Sequence, residues 1–461
     1  MKTLRDPDCL LSEGLAAIRV QFQVPESFPP QVLVAAELAA ARVPTGHADR
    51  TDRRFVTLDP ASSTDLDQAF ALEASGADFV LHYAIADVPW FVADGDPVDT
   101  EAWQRGTTTY LPGAKAGLYP PVLAEGAASL LPDGPRPAVV FTVRVGPDGA
   151  VKLDGVERAL IRSRAKLAYD SVRDADLPRG FGELAARIAA AEVARGAARV
   201  DPPEQEVERG PDGRYALRLR PLLVSEKHNA AMSLATNMAV ADALFAAGTG
   251  LFRVMAPPDA RAVERLRLTA KAFALDWPEA LPLEQFERQL DPANPRGAAF
   301  MLAIRRAGMG ASYEPFRAGV TPWHAAMAAT YCHATAPLRR LADRYVLRAA
   351  LAVANGQAVP LGVTEAFTRL PQVMTRADAT TGRVERAVID LAETAILAGR
   401  EGEVFAAVVT DLGENGARIQ LCDHAVVARV TAHNVLPGTR IAVRLAQADP
   451  VQRTLAFLRV D

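Results

Sequence analysis

The chain has 461 residues, about half of them apolar, with 51 basic against 55 acidic side chains and a formal charge of −4. That length exceeds one typical core and implies two or three domains, and the slight acidity argues against a protein that coats nucleic acid through a broad basic surface. Cys9, Cys332 and Cys422 lie too far apart for a disulfide framework or a zinc pattern, and no apolar run reaches the ~18 residues of a membrane span, so a cytoplasmic protein with no membrane contact is expected.

In chain order, residues 1–50 carry two helical patterns, 30–42 and a weaker one at 10–20, followed by a polar stretch. This is either a small helical module, winged-helix-like, or a packed extension. Residues 58–68 come next and bring Asp59, Asp65 and Asp67 within nine positions. Asp65 and Asp67, spaced i, i+2, point to one face of an extended segment, and the turn formers from Pro60 to Thr64 set Asp59 apart. Asp and Pro in a turn are commonplace. If the three carboxylates do converge, however, they repel unless a cation sits between them, and a hard divalent ion with oxygen ligands is the usual solution. An EF-hand loop does not fit, because Ala61 falls at the third ligand position and Thr64 where a glycine is needed.

A hairpin follows, 70–73 with 79–85 across Ser75-Gly76, then strands at 139–145 and 214–219. Helical patterns dominate thereafter, at 182–199, 227–247, 259–275, 296–307, 337–354 and 383–398, with Asp259 as an N-cap and Gly399 as a stop. Five short apolar segments near 403–410, 417–421, 425–430, 439–446 and 452–459, separated by turn residues, predict a five-stranded OB-type barrel. Residues 400–461 hold seven Arg against seven Asp plus Glu, and only Phe405 and Phe457 offer rings for stacking, so an oligonucleotide would be gripped weakly; such barrels also bind saccharides or proteins.

Four ordered motifs point further. They are Thr57-Leu58-Asp59 through Asp65-Leu66-Asp67-Gln68-Ala69, then Ile85-Ala86-Asp87-Val88, then Glu101-Ala102 with Arg105-Gly106-Thr107 and Thr109-Tyr110-Leu111-Pro112, and last Tyr331-Cys332-His333-Ala334-Thr335-Ala336-Pro337-Leu338-Arg339-Arg340 with Asp343. Over roughly residues 50–400 the chain resembles the catalytic domain of the ribonuclease II family of 3′-to-5′ exoribonucleases, and its end resembles the ribosomal-protein-S-one RNA-binding domain. The resemblance implies an α+β fold: an RNB catalytic domain of mixed sheets surrounded by helices (51–399), a C-terminal OB barrel (400–461), and a helical segment (1–50) too short for the cold-shock barrels common ahead of this domain.

The implied activity is Mg²⁺-dependent, with Mn²⁺ as a substitute, and processive, degrading single-stranded RNA to nucleoside 5′-monophosphates in RNA decay and processing, with no obligate protein partner signalled. By resemblance, Asp59, Asp65 and Asp67 hold the metal or act on the attacking water, Asp67 being most closely tied to cleavage. Arg339 would stabilise charge on the phosphate, Tyr110 would stack on the 3′ nucleotide, and Arg340 would join the RNA contacts. Thr335 and Pro337 would cap and begin a helix whose N-terminus favours phosphate. Arg344 and Arg348 read as a solvated face, and His333 as a structural hydrogen-bonding residue.

Two departures stand out. Gln68 replaces the fourth aspartate of most relatives; as a metal ligand it would offer only an uncharged amide oxygen. Ala230 and Ala231 replace acidic residues, with Glu226 one turn away. The alternative reading is therefore an RNA-binding protein whose hydrolysis is weakened or lost through Gln68. A DNA-directed phosphodiesterase is a third, distinguished by the ribose 2′-OH.

Overall fold

The computed structural model describes residues 10–197, 204–209, 215–220, 222–291, 294–308, 310–413, 416–432 and 434–460. Two helices open it, α1 (Leu10–Gln21) and α2 (Pro30–Ala40), with Pro30 at the first helical position. Each buries only a narrow stripe, and does so on a distant element. Leu11 and Ile18 pack with Val384 and Leu391, while Val32, Ala36 and Ala39 join the main core. Among the described residues the two helices share no core of their own, and each is packed on the catalytic region.

Nine strands build the catalytic region: β1 (Ala48–Asp49), β2 (Phe55–Asp59), β3 (Gln68–Ser75), β4 (Asp78–Ala86), β5 (Thr109–Leu111), β6 (Ala114–Ala116), β7 (Arg136–Val145), β8 (Val151–Ile161) and β9 (Ser163–Ala168). Seven form one sheet in the order β1-β8-β7-β4-β3-β2-β9, in which β1/β8 and β2/β9 pair parallel and the other neighbours antiparallel; β5 and β6 form a separate hairpin. β4 and β7 are buried along nearly their whole length, as central strands covered on both faces must be. The β3–β4 turn passes through Gly76 at φ 63°, as the Ser75-Gly76 signal predicts. Two short helices, α3 (Val88–Phe91) and α4 (Pro97–Arg105), are capped by Asp87 and Asp96.

Beyond the sheet come α5 (Phe181–Ala194), the hairpin β10 (Glu204–Arg209) and β11 (Tyr215–Arg220), α6 (Val224–Ala246) and β12 (Leu251–Val254). Next, α7 (Ala260–Ala272), α8 (Leu283–Glu287) and α9 (Pro295–Ala307) enclose a satellite core of Leu266, Phe273, Phe286 and Phe300. Short strands β13 (Ser312–Pro315), β14 (Trp323–His324) and β15 (Ala329–Thr330) lead to α10 (Leu341–Ala354).

The helix α11 (Leu361–Leu397) has 37 residues and so spans about 55 Å. The sequence pattern predicts a helix only over 383–398, yet the helix starts at Leu361 and runs through Pro371. Val363, Phe367, Leu370 and Met374 lie in the main core, Val384 and Leu391 meet α1, and Leu397 enters the core of the terminal barrel. That barrel closes in the order β16 (Val404–Gly413), β17 (Gly416–Leu421), β18 (Val427–Thr431), β20 (Thr454–Arg459), β19 (Arg440–Asp449), as the five segments predict. Among the described residues no helix is long and apolar enough to cross a membrane.

Candidate active site

Asp59 ends β2 and Gln68 begins β3, so the eight-residue link between them carries the other two aspartates. Ser129 fixes this link: its Oγ accepts the Leu66 N–H at 2.9 Å and donates to the Thr64 carbonyl at 2.7 Å. Asp67 is 5 % exposed. Its Oδ1 accepts the Leu338 N–H at 2.7 Å, and its Oδ2 lies 3.4 Å from Arg339 Nε. Burial pushes its carboxyl up to about 7, against the downward pull of Arg339 and that N–H. Burial raises Asp59 to about 6; Arg339 opposes this and Asp65 adds to it. The Oδ2 of Asp59 is buried with no hydrogen-bond partner, which suits a carboxylate awaiting a cation.

The Arg339 segment is anchored from α6. Asn229, Ser233 and Asn237, spaced i, i+4, i+8, place a polar stripe on one face of a largely apolar helix. Asn229 Nδ2 donates to the Leu58 carbonyl at 3.2 Å, next to Asp59. Ser233 bonds the Thr335 hydroxyl at 2.9 Å, and Asn237 Oδ1 accepts the Ala334 N–H at 2.9 Å. From the other side, the Arg339 carbonyl accepts from Thr107 Oγ1 at 2.7 Å and from the Thr108 N–H at 3.0 Å. The guanidinium of Arg339, its side chain 42 % exposed, is left to face outward over Asp67.

Several expectations need correction. The helix begins at Leu341 and not at Pro337: residues 337–339 form a turn and Arg340 is extended at φ −131°, bridged to Thr107, while the N–H groups of Ala336 and Leu338 are taken by the carboxylates of Asp343 and Asp67 and so are not open to a phosphate. Arg340 is not an open RNA contact: its guanidinium forms a two-pronged pair with Asp343 at 2.9 and 2.7 Å. Arg344 is not solvated; it is 1 % exposed and paired with Asp99, while Arg348 pairs with Asp94. Glu226 caps α6 through the Leu223 N–H at 2.7 Å. His333 accepts or donates at Tyr313 OH, 2.7 Å away, in the structural role expected.

Gln68 departs most from its expected role as a metal ligand. Its Oε1 accepts the Tyr83 hydroxyl, and its Nε2 donates to the Thr335 carbonyl at 2.8 Å. Both ends of the amide are thus engaged, and they tie β3 and β4 to the Arg339 segment.

The β5–β6 hairpin forms a strap on the other side. Tyr110 and Lys115 are cross-strand partners and so share a face. Both reach Asp65: the Tyr110 hydroxyl donates to Oδ2 at 3.0 Å, and Lys115 Nζ lies 2.8 Å from Oδ1. Lys115 also lies 3.2 Å from Glu125, whose other oxygen accepts from Thr64 Oγ1 at 2.7 Å. Tyr110 remains 46 % exposed. Lys115 and Glu125 escape sequence reading, although the Pro112-Gly113 turn could have paired residue 115 with 110. Among the described residues no three acidic, His or Cys side chains are gathered closely enough to hold one ion by themselves. Of the proposed ligands, Asp59 and Asp67 fit a cation, Asp65 is countered by Lys115, and Gln68 is turned to other partners.

Comparison with known proteins identifies the family. Residues 48–355 match the RNB domain, and residues 403–460 match the RNase II-type exonuclease C-terminal S1 domain. Exoribonuclease 2 of Cronobacter sakazakii is 30 % identical over 412 residues, covering 83 % of this chain and 62 % of that protein. The chain thus spans about three fifths of the length of such curated relatives. RNase R of Mycoplasma genitalium, solved with ribose methylated single-stranded RNA, superposes with a TM-score of 0.87 at 19 % identity, over 98 % of this chain and 78 % of that one. Yeast Ssd1, described as a pseudonuclease, shares the fold at a TM-score of 0.65 and 16 % identity, over 96 % of this chain and 59 % of that one.

Proposed function

This chain belongs to the RNB-domain family, with the RNase II-type C-terminal S1 domain, and we propose that it is a Mg²⁺-dependent 3′-to-5′ exoribonuclease that degrades single-stranded RNA processively to nucleoside 5′-monophosphates. The observation that carries this reading is the pairing of buried Asp67 with outward-facing Arg339, 3.4 Å apart, beside the unpartnered oxygen of Asp59. Two carboxylates and one guanidinium converge there from segments far apart in sequence. A divalent ion held by Asp59 and Asp67 would polarise the phosphate and lower the pKa of water. Asp67, beside that ion and Arg339, would help to orient the attacking water. Arg339 is placed to neutralise the non-bridging oxygens as their charge grows. Tyr110, exposed on the strap, offers a ring to the last base, a contact that tolerates any sequence.

The alternative, an RNA-binding protein without hydrolysis, draws support from the diverted Gln68 amide and from the fold shared with a pseudonuclease. Against it stands Asp59, whose burial with one carboxylate oxygen unpartnered is costly and of no use to a protein that only binds a polyanion.

A time course on 5′-labelled single-stranded RNA with Mg²⁺, beside Asp67→Asn and a matched DNA strand, tests both. The exoribonuclease reading expects shortening of RNA alone, lost in the mutant. Intact RNA retained equally by both proteins would leave the binding reading.

A further inference from the structure

Lys115 bridges two carboxylates from separate segments, at 2.8 Å from Asp65 and 3.2 Å from Glu125. Neither this lysine nor the glutamate belongs to the motifs that carry the resemblance, yet the ammonium occupies carboxylate oxygens that a second divalent ion would need. Tyr110 fills a further acceptor position on Asp65. The other group that could help to hold a second ion, Gln68, has its amide fixed between Tyr83 and Thr335.

A second ion bound there would have to displace an ammonium already in contact with two carboxylates.

We infer that the site takes a single divalent cation, at Asp59 and Asp67, and that the Lys115 ammonium stands in place of a second. The inference rests on the metal-dependent reading of the site. Lys115 acts through Asp65 and so is a positioning residue. The ammonium holds Asp65 and Glu125 together without a metal, and it keeps the strap that carries Tyr110 closed over the aspartate link.

The test counts ions directly. Mn²⁺ binding to the full chain, followed by electron paramagnetic resonance of the free ion, should saturate at about one equivalent. Lys115→Met should raise this to about two and make cleavage depend more steeply on metal concentration, while Lys115→Arg should restore the wild-type count. About two equivalents in the wild type, or an isotherm unchanged in Lys115→Met, would overturn the inference. Should Lys115→Met fail to fold, Asp65→Asn decides: about one equivalent at unchanged affinity is expected, and loss of metal binding would refute it. RNA cleavage is measured in parallel. No cleavage with about one equivalent bound would end the exoribonuclease reading and leave the ion count standing, whereas cleavage with about two would do the reverse.

Discussion

On the Arg339 side of the site, backbone groups are held by buried partners: Leu338 by Asp67, Ala336 by Asp343, Ala334 by Asn237, and the Thr335 carbonyl by Gln68. On the Tyr110 side, the contacts are made by the tips of two side chains on a hairpin of three-residue strands, one of them nearly half exposed. Chemistry that must place a guanidinium against developing charge needs the first kind of construction, because a 1 Å error can cost about 10²-fold. A surface that must admit and release successive nucleotides needs the second. The two sides meet at the link between Asp59 and Gln68, which belongs to both.

Substitutions on the fixed side should act on kcat and those on the strap on substrate affinity and product length. Asp67→Asn should have the largest effect, reducing cleavage by roughly 10³-fold or more while RNA binding survives, read from the labelled-RNA time course and a filter-binding curve. Turnover preserved in that mutant would remove Asp67 from the centre. Arg339→Ala should lower kcat by about 10²- to 10³-fold with little change in RNA affinity; a loss confined to KM would make it a strap-like contact.

Gln68→Asp sharpens the contrast, since a carboxylate cannot donate to the Thr335 carbonyl. We expect kcat to fall by roughly tenfold with no reduction in the Mg²⁺ concentration for half-maximal rate. A lower metal requirement would return position 68 to the coordination shell. Tyr110→Ala should weaken binding of short RNA by about 1–3 kcal/mol and lengthen the limit product, while Tyr110→Phe, which keeps the ring and loses only the Asp65 bond, should stay near the wild type.

The smallest effect concerns the background against which pH profiles are read. Glu287 in the satellite core is pushed up to about 8, by burial first and then by Glu284, and its Oε2 has no partner. The folded state therefore holds this proton more tightly than the unfolded chain. Its favourable contribution is complete below the ordinary value of 4.5 and is lost as pH rises from there through about 8. Glu287→Gln should flatten thermal stability across that window, checked by melting curves; an unchanged slope would place the dependence elsewhere, with the active-site carboxylates the first suspects.

Much of this architecture was legible in the residues. The aspartate link, the hairpin across Gly76 and all five barrel strands follow from turn chemistry and alternation, which are local. What escaped depends on distant partners. Pro337 looks like a helix start until Arg340 is seen held extended against Thr107, a partner far upstream. Arg340 looks like an RNA contact and Arg344 like part of a solvated face until Asp343 and Asp99 enclose them. The stripe of Asn229, Ser233 and Asn237 was readable as periodicity, but its meaning was not, because an amide in a helix carries no mark of the carbonyl it will meet.

The helix α11 has a mechanical consequence. It touches the strap, where Thr381 meets Thr109 at 3.3 Å and Val384 packs in one cluster with Leu111, and it ends with Leu397 inside the barrel. A strand drawn inward past the barrel would therefore pull against a strut of continuous hydrogen-bonded backbone, with little slack before the load reaches the floor beneath Tyr110. Tension and grip would then be felt at the same place.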